Sequence, residues 1–326
     1  MVDGSQPYSA RRRAARTMIV VFGSINLDLV AHVARLPKSG ETITGEAFAA
    51  HPGGKGANQA LAARHAGADV ALIGAVGKDA FATPALRNLS QAGVDLQHVA
   101  RVDAPTGVAL IHVDASGQNS ITVVAGANAR ADPAAVPDSL LAPGATLLMQ
   151  LELPLETVGA LAVRARARAV RVILNAAPMQ SLSKSLLSAI DVLVVNEIEA
   201  SSLGALLDAP MTPELFAIEV CRRFGCATVV TLGAAGALAA VGTTLIRASA
   251  PVLRAVDTTG AGDAFTGMLA AALHSGTPWN RALAMSVAAG SLACTAAGAQ
   301  SALPAFDAID ALASTVESRL VLQRLE

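Results

Sequence analysis

The chain has 326 residues and a formal net charge of −1; 53% of it is hydrophobic, 15% charged and 3% aromatic. At about 150 residues per domain, this length suits two domains or one large α/β domain with an appendage, and the apolar content excludes general disorder. Near-neutrality excludes a partner chosen by bulk charge, so neither nucleic acid nor an anionic membrane is expected.

In chain order, Arg11, Arg12, Arg13 and Arg16 precede a short apolar run at 18–22, too short for a secretory core. Residues 1–17 therefore read as a disordered N-terminal extension ahead of a domain spanning 18–310, with 311–326 as a C-terminal helix or tail. The run at 18–22 ends at Gly23, and such continuous runs suit a parallel strand covered on both faces. Similar runs recur at 70–73, 146–151, 170–174, 192–195 and 228–232. Helical patterns lie at 56–65, 84–92, 154–168, 183–189, 213–224 and 264–273. This alternation predicts an α/β fold: a doubly wound, mainly parallel sheet flanked by helices.

Segments 29–51 and 106–124 break that rhythm by alternating apolar and polar residues, which predicts a small antiparallel β lid beside the main domain. The charge-free stretch 282–306 is long enough to cross a bilayer. It is interrupted by Gly298, Gln300 and Pro304, so it reads as a helix buried in a soluble domain and no membrane span is expected. Cys221, Cys226 and Cys294 form no Cys-x-x-Cys pair and the six histidines lack ligand spacing, which suits free thiols in the reducing cytoplasm.

Five stretches carry chemistry. Around 256–265 a small-residue turn leads into a helix, whose outward N–H groups and dipole make an anion site. Asp263 stands at that helix start, and the stretch alone leaves two readings: a base beside an anion hole, or an N-cap. At 52–59, Gly53 and Gly54 let the backbone approach a ligand and Asn58 follows on a helix; a solvated turn is the alternative. Asn26 and Asp28 follow the first strand, where open α/β sheets bind ligands. Glu152 ends another strand, and Asn196 with Glu199 has capping-box spacing. The P-loop pattern fails at Gly54-Lys55-Gly56, and Gln59 stands where a dinucleotide fingerprint needs its third glycine.

Taken in this order, Gly53-Gly54-Lys55-Gly56-Ala57-Asn58-Gln59 and Asp257-Thr258-Thr259-Gly260-Ala261-Gly262-Asp263 resemble the two signatures of the ribokinase-like (phosphofructokinase-B-type) carbohydrate kinases. Segments 23–28, 125–129, 148–152 and 298–300 extend the resemblance over about 18–304. It implies a kinase that uses ATP with Mg2+ to phosphorylate the 5-hydroxyl of D-ribose. Asn26, Asp28, Gly54, Lys55, Asn58 and Glu152 would then hold the sugar, with Asp263 as base and Gly260, Ala261 and Gly262 as the anion hole. Asn196, Glu199, Thr231 and Gly233 would face the nucleotide and its magnesium. A K+ ion would take the Asp257 carboxylate and the carbonyls of Thr259, Ala293, Ala296 and Gly298. The resemblance also implies a homodimer paired through the lid.

Departures from the family pattern are Ala234 and Val287 at the nucleotide, and Ala302 where a serine usually completes the ion site, with Ser301 one position early. The alternatives are a kinase of another sugar or nucleoside, such as deoxyribose, 2-keto-3-deoxygluconate or adenosine, and a non-catalytic sugar sensor on the same fold.

Overall fold

The computed structural model describes residues 17–209 and 212–325. The expected extension at 1–17 thus lies outside the described residues, apart from Thr17, whose carbonyl oxygen meets His274 Nε2 at 3.2 Å.

Strand β1 (Ile19–Phe22) leads into β2 (Asn26–Val33) and β3 (Gly45–Gly53), and helix α1 (Lys55–His65) follows at once. Next come β4 (Val70–Gly77), α2 (Ala82–Gln91), β5 (Val99–Val102), β6 (Gly107–Val113) and β7 (Asn119–Val124). Strand and helix then alternate through β8 (Thr146–Met149), α3 (Leu155–Arg166), β9 (Arg171–Asn175), α4 (Lys184–Ala189), β10 (Val192–Asn196) and α5 (Glu197–Leu207). Helix α6 (Pro213–Phe224) precedes β11 (Ala227–Thr231), β12 (Ala237–Val241) and β13 (Thr244–Ala248). The chain closes with α7 (Ala261–His274), α8 (Trp279–Ala293), α9 (Phe306–Glu317) and β14 (Val321–Arg324).

Ten strands form one sheet in the order β14-β13-β12-β11-β10-β9-β8-β1-β4-β5. The pairs from β11 to β5 are parallel and the β11–β14 edge is antiparallel. Period-two alternation sends Ile19 and Val21 into the layer of α1, α2, α7, α8 and α9, and Val20 and Phe22 into that of α3–α6. Both faces of β1 are therefore apolar, which is why its sequence is one unbroken hydrophobic run. The strand order reverses between β1 and β8, so a ligand crevice is expected past the carboxyl ends of these two strands.

The lid is a four-stranded sheet in the order β3-β2-β6-β7. Its outer pairs are antiparallel and its central β2–β6 pair is parallel. Both central strands leave the same edge of the parallel sheet, so they start side by side and run the same way. Asp79 fastens that base: its carboxylate accepts Thr106 N (2.7 Å) and Thr106 Oγ1 (2.7 Å), and Thr106 Oγ1 accepts Gly77 N (2.9 Å).

Asn26 and Asp28, just past β1, lie within the extended strand β2. One local reading is revised. Helix α9 runs across position 310, and the last described residues add β14 to the sheet instead of ending as a tail. In the charge-free stretch the buried helix is α8, and an irregular loop follows it. Cys221, Cys226 and Cys294 are free thiols, and no described helix is long and apolar enough to cross a membrane.

Candidate active site

Asn26 and Asp28 alternate on β2 and so share one face of the lid. Their space comes from glycine. A Cβ on Gly53 would lie 2.2 Å from Asp28 Oδ2, and one on Gly107 would lie 2.4 Å from Asn26 Oδ1. Buried Asn128 accepts Ile25 N at 2.9 Å and donates to Asn26 Oδ1 at 2.7 Å. The Asn26 oxygen thereby accepts one hydrogen bond from Asn128, which sets the orientation of its amide.

Beside them, Glu152 Oε2 accepts Ser24 Oγ (2.5 Å) and the Lys55 backbone N–H (3.0 Å), while Ser24 Oγ accepts Gly56 N (3.2 Å). These bonds tie the first turn of α1 to the ends of β1 and β8, which delivers Lys55 and Asn58 to the crevice. Gly54 makes that entry with φ +90, and a Cβ there would meet Asn26 N at 2.8 Å.

The charges are unevenly matched. Lys55 is held above its usual range by Asp263, against burial, with further help from Glu152 and Glu199. Burial, then Glu152 and Asp263, push the Asp28 carboxyl up to about 7. The native chain therefore holds a proton on Asp28 that the unfolded chain releases at its ordinary value of 3.8, and stability falls as pH rises through that window. Without sugar, Asp28→Asn should melt about 2–4 °C above the parent at pH 8 and level with it at pH 4. An equal difference at both pH values in a thermal scan would rule out this origin.

Asp263 lies in the first turn of α7, buried to 7% exposure. Its Oδ2 accepts Asn58 Nδ2 at 2.9 Å and its Oδ1 accepts Gln59 Nε2 at 2.8 Å. Glycine again permits the approach, because a Cβ on Gly267 of α7 would lie 2.6 Å from Gln59 O of α1. No side chain caps α7, whose N-cap is Gly260 at φ +77. Asp263 is thus inside the helix, and its carboxylate is aimed at α1 rather than at its own helix's N–H groups.

On the other side of this turn lies a cavity of about 410 Å³ lined by Thr231, Gly233, Ala261, Gly262 and two of the three departure positions, Ala234 and Val287. A Cβ on Gly262 would meet nothing within 4 Å, so the N-terminus of α7 is open to this space. Asn196 and Glu199 close a capping box at the start of α5, and Asn196 pairs with Thr231 across the sheet. Burial raises the Glu199 carboxyl, and Lys55 feels its charge.

Next to the cavity, Asp257 Oδ2 accepts Gly298 N (2.8 Å) and its Oδ1 accepts Thr259 N (2.9 Å). Burial works to raise Asp257, but the Gly298 and Thr259 donors outweigh it and hold the carboxyl low. Ala293 ends α8 and Ala296 stands exposed in the following turn. Ser301 Oγ donates to Ala297 O, and Ala302 is buried. The structure therefore brings Asp28, Lys55, Asn58 and Glu152 together with Asp263 on one side of the glycine turn, and sets Asp257 next to the cavity on the other. It places Asn196 and Glu199 beside the cavity rather than on its wall. Among the described residues no cluster of three or more His, Cys, Asp or Glu could hold a metal ion.

Sequence reasoning assigned no role to Asn128, Gln59, Gln150, Asn175 or Gln300. Gln59, Asn128, Gln150 and Gln300 lie in segments that carry the resemblance, whereas Asn175 is marked only as an amide at the end of an apolar run.

Residues 16–305 match the pfkB family carbohydrate kinases. The ribokinase of Haemophilus influenzae is 39% identical over 293 residues, 89% of this chain and 96% of that protein. A ribokinase structure from Thermotoga maritima superposes with a TM-score of 0.84 at 32% identity, covering 91% of this chain and 99% of the other. The Arabidopsis thaliana ribokinase complexed with ribose and ATP gives 0.83 at 34% identity, covering 91% and 98%.

Proposed function

The chain belongs to the pfkB family of carbohydrate kinases, and from that premise we infer that it transfers the γ-phosphoryl group of ATP to the 5-hydroxyl of D-ribose. The observation that carries this reading is the place of Asp263, where the lid-side crevice meets the 410 Å³ cavity at the N-terminus of α7.

Ribose lies between the lid and the sheet, held by Asn26, Asp28, Gly54, Lys55, Asn58 and Glu152. Asp263 takes the proton from the 5-hydroxyl as that oxygen attacks phosphorus, and ADP leaves. The N–H groups of Gly260, Ala261 and Gly262 stabilise the charge on the group in transfer. Thr231 and Gly233 face the nucleotide. Glu199 and Asn196, beside the cavity, would serve Mg2+ together with the ATP phosphates, since the ion needs few protein carboxylates, and it would neutralise phosphate charge. The Asp257 carboxylate and the carbonyls of Thr259, Ala293, Ala296 and Gly298 would supply K+ with an all-oxygen set. Ala302 contributes no hydroxyl to it. The free thiols suit the cytoplasm.

ADP release with MgATP across pentoses, deoxyribose, ketohexoses and nucleosides, with and without K+, tests the reading. Ribose-dependent release is expected. Sugar binding with no release from any substrate would make the protein a sensor.

On the lid face that carries Asp28, Ile121 (52%) and Val123 (50%) are exposed. These residues support a homodimer paired through the lid, because a monomer would leave them in water. By light scattering the parent should be a dimer and Ile121→Asp a monomer; a monomeric parent refutes this.

A further inference from the structure

We propose that Gln59 and Gln300 are positioning residues that set the plane of the Asp263 carboxylate through two arms of directed amides. The proposal rests on Asp263 being the base. The first arm is direct. Gln59 is fully enclosed; its Nε2 donates to Asp263 Oδ1 at 2.8 Å and to Asn175 Oδ1 at 2.9 Å, and Asn175 Nδ2 donates to Val194 O at 3.2 Å. The second arm runs through a neighbour. Asn58 Nδ2 donates to Asp263 Oδ2, Gln300 Nε2 donates to Asn58 Oδ1 at 3.0 Å, and Asn88 Nδ2 donates to Gln300 Oε1 at 3.0 Å.

The direction of every amide follows from one charge. An ionised carboxylate only accepts, so Gln59 and Asn58 must each present N–H to it. The Gln59 oxygen then faces away and accepts Gln150 Nε2 at 2.7 Å. That leaves Gln150 Oε1 as the buried side-chain acceptor without a partner among the described residues. Turning Gln150 over would set its oxygen against the Gln59 oxygen. Turning both would set oxygen against Asp263. The orphaned acceptor at the end of the arm is what an arrangement ordered from the carboxylate outward leaves behind.

The two arms reach different oxygens through consecutive residues of α1, and each is braced from a different element, Gln59 by Asn175 on β9 and Asn58 by Gln300 in the loop after α8. Together they fix the rotation of the carboxylate about its own axis. An aligned lone pair is what proton transfer from a bound hydroxyl needs, and a small misplacement is costly.

The test is a double-mutant cycle. Gln59→Met keeps the volume and removes the donor; kcat is expected to fall about 10–100-fold with the ribose Kd changed less than about threefold. In the Asp263→Ala background the same change should lower the residual rate less than about twofold, because nothing is left to position. Equal losses in both backgrounds, or a kcat within about twofold of the parent, would overturn the proposal. Should Gln59→Met not fold, Gln300→Met carries the same cycle on the second arm. If Asp263→Ala keeps the parent kcat, the base reading itself falls. If it is inactive while Gln59→Met and Gln300→Met are normal, only the positioning role falls.

Discussion

Asp263→Asn is expected to lower kcat by about 10²–10⁴-fold and to leave the ribose Kd within about threefold. The substitution preserves shape and removes the proton acceptor. In the parent both carboxylate oxygens receive amide N–H groups, at 2.9 Å from Asn58 and 2.8 Å from Gln59. An asparagine side chain can answer only one of them, since its NH2 group turns donor against donor at the other. The new side chain will therefore face its oxygen to one arm and push the other away. A modest loss of stability should accompany the large loss of turnover, and calorimetry of the folded variant with ribose separates the two. A variant that turns over within tenfold of the parent would remove Asp263 from the base role. Preserved binding with lost turnover is the signature of an interaction made mainly in the transition state.

The parallel core was legible because its strands are buried on both faces. The runs at 18–22 and 192–195 read as strands with no tertiary information, and β1 and β10 match them to within one residue at each end. The glycine turns around Gly53 and Gly260 were legible for a related reason, since a backbone that must approach something closely admits few other residues. Strands β12 and β13 and the terminal β14 were not. Val321 and Leu322 are 59% and 61% exposed, so no alternation marks a buried face there, and the β14 pairing depends on an edge presented by distant β13. The amide arms were hidden for another reason. Gln59, Asn175 and Gln300 are far apart in sequence, and no local spacing shows that the fold joins them behind one carboxylate. Asn196 and Glu199 show the opposite case: their spacing signals a capping box, the structure forms it, and that local bond alone says nothing about the nucleotide.

Two glycines at the starts of α1 and α7 should respond in opposite ways to the same methyl group. A Cβ on Gly56 would lie 2.5 Å from Gly23 C and from Ser24 N, both backbone atoms beside the enclosed strand β1. Neither can yield without moving the centre of the sheet, so α1 itself must shift. Gly56→Ala is expected to cost about 2–3 kcal/mol and about 4–8 °C in Tm. Because α1 carries Lys55, Asn58 and Gln59, the shift should lower kcat as well. A Cβ on Gly262 meets nothing within 4 Å, so Gly262→Ala should melt within about 1 °C of the parent. Its methyl group would project toward the space that Gly262 lines, where the phosphates are proposed to lie, and KM for ATP should rise about tenfold or more with the ribose Kd unchanged. Thermal scans and ATP titrations on the two variants decide it. Equal destabilisation would mean that both glycines serve packing, and an unchanged KM in Gly262→Ala would place the phosphates elsewhere in the cavity.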